Sequence, residues 1–267
     1  MLDDTLKVAT FNANSIRSRL KLVLDWLQKE TPDFLCLQET KVQDADFPAT
    51  SFRDAGYYAV FRGQKAHAGV ALISREEPQE VAFGFDDGGE PDEARLVRAV
   101  IQGIPVVNTY VPQGHSLDSP QFQYKLEWLA RLRALLERHY SPQKMLLWMG
   151  DFNVAAEPID VHDPKRLKNH VACHPLARAA LQRVKEWGFV DVFRLHHPGE
   201  PEQYSFWDYR ARDAVERRLG WRVDHIWATK PLARKSTWAW IDVDARLVEK
   251  PSDHTFVVAE FEFRPAA

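Results

Sequence analysis

Residues 145–153 read MLLWMGDFN, an apolar run that breaks off in polar residues. A run this short and this apolar reads as a strand buried in the core rather than a half-exposed one. The pattern recurs. LKVATFN (6–12) and FLCLQET (34–40) are apolar stretches that end in an amide or an acid, and GVALIS (69–74), LVRAVI (96–101) and PVVNTYV (105–111) add further strands. Between them lie helical periods. Ile16, Leu20, Val23, Leu24 and Leu27 share one face of 16–29, which Pro32 stops. Phe122, Leu126, Leu129, Leu132, Leu135 and Leu136 share one face of 121–139, and 174–187 is helical up to Gly188. DDGGEPDE (86–93) and PQGHSLDSP (112–120) read as loops, and QYSFWDY (203–209), RVDHIWAT (222–229) and FVVAEFEF (256–263) as late strands. Strands interleaved with helices, then strands without long helices, predict a mixed α/β protein too strand-rich for a simple doubly wound sheet.

The chain has 267 residues, 45% of them hydrophobic, enough for a large core. No Gly/Ser linker divides it, so residues 1–267 are read as one domain. FNAN near the start and DFNV in the middle hint at an internal duplication. No apolar run approaches the roughly 18 residues that span a bilayer, and MLDDTLKVATFN lacks the basic start and cleavage site of a signal peptide. Cys36 and Cys173 form neither a disulfide framework nor a zinc spacing. These features predict a cytoplasmic, monomeric protein with no membrane partner. A net charge of −3 excludes a basic scaffold that coats nucleic acid. Polyanion contact must then be local, and RARDAVERRLGWR (210–222) and KRLKNH (165–170) are the candidate patches.

Polar residues gather where apolar strands stop: Asn12, Asn14, Glu39, Asn108, Tyr110, Asp151, Asn153, Asp224, Asp253 and His254. Any one of these alone is an ordinary turn residue. Together, at strand ends that converge on one rim, they form a crevice of the kind in which α/β proteins bind ligands. Asn, Asp and Glu oxygens suit a hard cation such as Mg²⁺. His254 is a candidate proton carrier or charge stabiliser, and Tyr110 and Asn153 are candidate donors to phosphate.

The motifs FNANSIRS (11–18), PDFLCLQETK (32–41), HAGVALIS (67–74), NTYVPQG (108–114), GDFN (150–153), WGFVDVFR (187–194), SFWDYR (205–210), GWRVDHIWA (220–228) and EKPSDH (249–254) span nearly the whole chain. In this order they resemble exonuclease III and the related abasic-site endonucleases of the endonuclease/exonuclease/phosphatase superfamily. The resemblance implies a four-layer α/β sandwich, with two mixed β-sheets face to face and helices outside, as in DNase I-like proteins. It implies metal-dependent hydrolysis of the phosphodiester 5′ to an abasic site in duplex DNA, together with 3′→5′ exonuclease action and cleaning of blocked 3′ ends. Mg²⁺ is the implied cofactor, with Mn²⁺ as a substitute.

By the same resemblance Glu39 is the principal metal ligand, with Asn12 and Asp253 in its shell. Asp151 is the general base, His254 contacts the scissile phosphate, Asp224 orients that histidine, and Tyr110 and Asn153 position the phosphate. A second cation, if the site holds one, falls to Asp151, Asn153 and His254. Phe206, Trp221 and Val223 are implied to form the pocket for the base-free sugar, with Arg210 as a wedge into the duplex. Gln113 and His115 match a DNA-contacting loop, and Asn108 completes the substrate-binding set. The chain departs from the family pattern in places. Ser15 stands where many relatives have Gly, Asn14 where some have Asp, and Phe256 where Pro is usual, which predicts a changed loop there. Residues 157–170 have their own wording and are expected to shape substrate preference. The competing expectations are another phosphoesterase of the superfamily, DNase I-like or acting on inositol or lipid phosphates, and a non-catalytic nucleic-acid-binding module.

Overall fold

The computed structural model describes residues 4–91 and 94–263. Twelve strands, numbered in chain order, form two six-stranded sheets among the described residues. The first holds β1 (Thr5–Asn12), β2 (Phe34–Gln38), β3 (Tyr58–Gln64), β4 (His67–Ser74), β11 (Ser236–Asp242) and β12 (Phe256–Glu262), in the order β11-β12-β1-β2-β4-β3. The second holds β5 (Gln79–Phe83), β6 (Leu96–Ile101), β7 (Ile104–Tyr110), β8 (Leu147–Asp151), β9 (Phe189–Asp191) and β10 (Asp224–Thr229), in the order β5-β6-β7-β8-β10-β9. Each sheet has one parallel pair at its centre, β1 with β2 and β7 with β8, and every other pair is antiparallel. FNAN and DFNV close β1 and β8, which hold equivalent places in the two sheets, so the hint of duplication has a counterpart in the topology.

The sheets bury their inner faces against each other. Val8, Phe34, Cys36, Val70 and Leu72 of the first meet Val97, Val106, Leu147, Met149 and Ile226 of the second in one apolar layer. On the outer face of the first sheet lie α1 (Ile16–Glu30) and α2 (Ala49–Asp54), which contribute Val23, Trp26, Leu27 and Phe52. On the outer face of the second lie α3 (Pro120–His139) and α4 (Pro175–Lys185), which contribute Leu129, Leu132, Leu136, Ala180 and Leu181. Helix–sheet–sheet–helix is the four-layer sandwich that the motifs implied. The helices start and stop where local chemistry directs. Ser119 caps α3 by accepting the Phe122 N–H at 3.2 Å, with Pro120 at the first helical position. Thr31, left-handed at φ 49°, closes α1 ahead of Pro32.

Three readings need correction. QYSFWDY is not a strand; Phe206 alone makes isolated bridges, to Trp221 and His254. Strands β3, β5 and β11 went unread because they lie at or near sheet edges with mixed exposure, so no apolar signature marks them. Phe256 lies in a strand rather than in a loop. It begins β12 fully buried, its ring stacked between Phe11 at 4.0 Å and Trp26 at 4.1 Å. A large ring there fills the space between strand and helix, and stacking adds to the area it buries.

Candidate active site

The register of the second sheet builds half of the site. Tyr110 on β7 pairs with Asp151 on β8, and Asp151 pairs with Asp224 on β10. Three adjacent strands therefore end in one row of functional side chains. Gly150 makes this row possible. Its φ is 139°, and a Cβ there would lie 2.0 Å from the Thr109 carbonyl oxygen, so only glycine lets β8 approach β7 so closely.

The first sheet supplies the opposite bank. Glu39 follows β2 in the left-handed region at φ 47°, and Asn14, Lys41 and Asn153 share that conformation at φ 42°, 54° and 50°. Left-handed non-glycine residues are held against a steric preference, and such positions cluster at working sites. Asn12 joins the banks. Its Nδ2 donates to Glu39 Oε1 at 2.8 Å and to Asp151 Oδ2 at 2.9 Å, while its Oδ1 accepts the Asn14 N–H.

His254 lies over the row. Its Nδ1 is 2.8 Å from Asp224 Oδ2 and its Nε2 is 3.9 Å from Asp151 Oδ2. Asp224 is fully buried and is fixed in turn by the Ser205 hydroxyl, which donates to Oδ2 at 2.7 Å. Burial works against the imidazolium, but the carboxylates of Asp224 and Asp151 outweigh it and push His254 up to about 10. The ring therefore stands as a cation. Burial and the neighbouring Asp224 charge push Asp151 up to about 7, where a carboxylate can exchange a proton near neutrality. At Glu39 burial favours the acid, yet the Lys41 ammonium at 2.7 Å and the Asn12 amide prevail and hold it ionised below its ordinary value. Burial, then the charges of Glu39 and Asp151, push the Tyr110 phenol well above its usual value, so it remains a donor.

Glu39, Asp151 and His254 each offer one ligand atom, and these atoms lie within 4.8 Å of one another. The carboxylate oxygens of Glu39 and Asp151 suit a hard cation. His254 is held protonated and is better fitted to an anionic substrate. Asp253 lies beside this group; its Oδ1 accepts from Asn14 Nδ2 at 2.9 Å. Asn153 lines the turn below, its N–H donating to Asp151 Oδ1 at 2.8 Å and its Nδ2 to the Val111 carbonyl at 2.9 Å.

Of the residues expected to receive the sugar, Phe206 adjoins the imidazole. Phe206 forms a bridge with Trp221 and another with His254, and its ring is 4.8 Å from the His254 ring. Trp221 and Val223 pack with Val161, Ala172 and Cys173, and Phe206 and Leu167 complete this cluster. Residues 157–170 thereby acquire a place: Val161 bridges Trp221, and the His170 ring meets Trp221 at 4.4 Å. They pack against Trp221. Arg210 is almost wholly exposed and is paired with Asp208 at 2.6 Å. Gln113 and His115 border a cavity of about 430 Å³ that Glu39, Lys41 and Tyr110 also line.

Two expectations fail on burial. Asn108 does not face the site. It is fully buried between the sheets, where its Nδ2 donates to the Leu37 and Ala71 carbonyls and its Oδ1 accepts from Gln38. Arg222 belongs to no surface patch. It too is fully buried, bonded to Asp160 at 2.8 Å and to Asp191 at 2.8 Å. Its neighbours Trp221 and Val223 pack instead in the apolar cluster with Val161 and Cys173. Sequence reasoning also passed over Lys41, Ser205 and Lys125. Lys125 had a signal: it is a cation in the apolar stripe of α3, three residues after Phe122 and four before Leu129.

Residues 9–254 match the endonuclease/exonuclease/phosphatase family. Exodeoxyribonuclease III of Haemophilus influenzae is 34% identical, over 96% of this chain and 100% of its own length. Among solved structures, an AP endonuclease from Archaeoglobus fulgidus is 53% identical at a TM-score of 0.94, covering 96% of this chain and 99% of the other. The 3′ phosphatase NExo from Neisseria, bound to product DNA hairpin, is 35% identical at a TM-score of 0.91, with 96% and 99% covered. With sequence, sheet order and overall shape in agreement along nearly its whole length, the chain belongs to the endonuclease/exonuclease/phosphatase family.

Proposed function

We propose that the protein is a DNA-repair nuclease that uses Mg²⁺, or Mn²⁺ in its place, to hydrolyse the phosphodiester 5′ to an abasic site in duplex DNA. The same site would remove nucleotides and blocking groups from 3′ ends. The observation that carries this reading is the contact between the apolar pocket and the imidazolium, with Phe206 bridging both Trp221 and His254. A sugar seated against Phe206, Trp221 and Val223 places its 5′ phosphate at His254. Phe206, Trp221 and Val223 offer an apolar surface that suits a bare deoxyribose, and a site without a base is the easiest to turn out of the stack.

The residues divide the work as follows. His254 and the Tyr110 hydroxyl donate to the nonbridging phosphate oxygens, where charge grows as water attacks. Asp151 accepts a proton from that water; the water oxygen joins phosphorus, the bond to O3′ breaks, and the leaving O3′ takes a proton from solvent water. The products are a 3′-hydroxyl and a 5′-phosphate. Asp224 keeps the His254 ring oriented and charged. Glu39, held ionised, would hold the divalent cation, which supplies electrostatic stabilisation of the phosphoryl oxygens.

The test is a duplex carrying one tetrahydrofuran abasic analogue, incubated with and without Mg²⁺ and resolved on a denaturing gel. The reading expects a cut on the 5′ side ending in 3′-OH, abolished by EDTA and by Asp151→Asn. An uncut lesion, or hydrolysis of inositol or lipid phosphates in its place, rejects it.

A further inference from the structure

Lys125 is fully buried on α3, and its ammonium makes three hydrogen bonds, all to backbone carbonyls. It donates to Asn153 at 2.7 Å, to Val171 at 3.1 Å and to Gln113 at 3.2 Å. Burial pushes Lys125 down to about 7, against which the Asp151 charge works; in the ammonium form its three protons match the three carbonyls and its donor capacity is spent. The three acceptors lie on separate segments. One leaves β7, one leaves β8, and one leads toward α4.

Each segment carries a different part of the site. The Asn153 peptide belongs to the left-handed turn whose N–H fixes Asp151. Val171 lies between His170 and Ala172, both of which meet the Trp221 wall of the pocket. Gln113 begins the loop that reaches His115 and borders the cavity beside Glu39. The loop also closes on the lysine stem: at Gly114 a Cβ would come within 3.3 Å of Lys125 Cδ.

We propose that Lys125 is a positioning residue for phosphodiester hydrolysis, a buried clamp that holds the Asp151–Asn153 turn, the pocket wall and the Gln113–His115 loop in one fixed relation. The clamp rests on the nuclease reading above. It acts through Asn153 on Asp151 and touches no reacting atom. A helix is the stiffest element within reach of all three segments, and one charged group on it ties them more rigidly than separate contacts between loops could. Without the ammonium three inward-facing carbonyls lose their donor, and the turn beneath Asp151 is free to relax. A misplacement of about 1 Å at a reacting group lowers the rate on the order of 10²-fold.

The experiment compares wild type with Lys125→Met, which keeps length and loses every donor, and with Lys125→Arg, which keeps charge and donors. Melting temperatures come first. Then kcat and KM are measured with Mg²⁺ on the abasic duplex, at a temperature where both variants are fully folded. The clamp predicts a kcat for the Met variant lower by about 10²-fold, KM within about threefold, and at least a tenfold recovery in the Arg variant. A Met variant that melts lower yet turns over at the wild-type rate shows a merely structural lysine and overturns the proposal. Should the Met variant not fold, Lys125→Gln takes its place; kcat falling from Lys through Arg to Gln supports the clamp, and a Gln variant equal to wild type refutes it. A wild-type protein that cuts no duplex defeats the nuclease reading instead, and the clamp with it.

Discussion

Replacing Asp224 by Asn isolates the electrostatic contribution of the His254 pair. The substitution keeps the shape of the side chain and removes one charge 2.8 Å from His254 Nδ1. His254 stands at about 10, against an ordinary histidine value near 6.5. The difference corresponds to ~5 kcal/mol in favour of the imidazolium, net of the burial that opposes it. Two carboxylates supply most of this, and Asp224 is both nearer and stronger than Asp151 at 3.9 Å. Its loss moves the deprotonation of His254 down toward the ordinary histidine value. The sign follows. The wild type needs Asp151 without its proton and His254 with it, so kcat rises with pH as Asp151 ionises and falls as His254 loses its charge near 10. In the variant the alkaline limb moves toward neutrality. The acid limb also shifts down, because Asp224 helps to raise Asp151. At pH 8 kcat should fall by about 10² to 10⁴, the range seen when a charge-stabilising partner of a catalytic histidine is neutralised. The assay is single-turnover cleavage of the abasic duplex from pH 5 to pH 10.5 at saturating Mg²⁺. An alkaline limb that stays near 10 in the variant, or a pH 8 rate within a factor of three of wild type, refutes the assignment of the charge to Asp224.

The other predictions concern the cation and the scaffold. Glu39→Gln removes a carboxylate from the cation position and should raise the Mg²⁺ concentration for half-maximal cleavage at least about tenfold; an unchanged metal titration would exclude Glu39 as a ligand. Arg222→Met leaves Asp160 with the Arg194 guanidinium and the Glu157 N–H, and Asp191 with His225 at 3.8 Å and the Arg194 N–H. Stranding a buried carboxylate costs about 3 to 5 kcal/mol, a fall in Tm of roughly 6 to 15 °C for a chain of this size; calorimetry that finds no fall would mean that the network contributes nothing. Ser15 sits at φ 91°, ψ 103°, outside the usual left-handed well. Ser15→Gly should relieve this strain and raise stability by about 1 kcal/mol after the entropy of the added glycine is counted, whereas a lower Tm would show that the serine is held there without strain.

Strand depth separates what the sequence shows from what it hides. Asn108 and Tyr110 lie two residues apart on β7, both polar at the end of an apolar run and on the same face by alternation. Only pairing distinguishes them. Asn108 is in register with Met149, Tyr110 with Asp151. At about 3.3 Å per residue the asparagine lies ~7 Å deeper, between the sheets. Nothing local in NTYVP states which of the two reaches the rim. Residue order likewise conveys no pairing of β7 with β8 and β10, on which the row Tyr110, Asp151, Asp224 depends. The early core strands, the three long helices and the motif residues could be read because burial imposes a local pattern on them. Edge strands β3 and β5 face water and carry no such pattern.

By itself, then, the sequence determined which side chains could do the chemistry and that they stood at strand ends, since both follow from residue type and apolar periodicity along the chain. The tertiary structure alone decided which of them met, that Arg222 and Lys125 were buried ties rather than surface cations, and that residues 157–170 packed onto Trp221. Those outcomes depend on contacts between segments tens to hundreds of residues apart, and the free energy of such a contact is a property of the packed pair that neither segment carries alone.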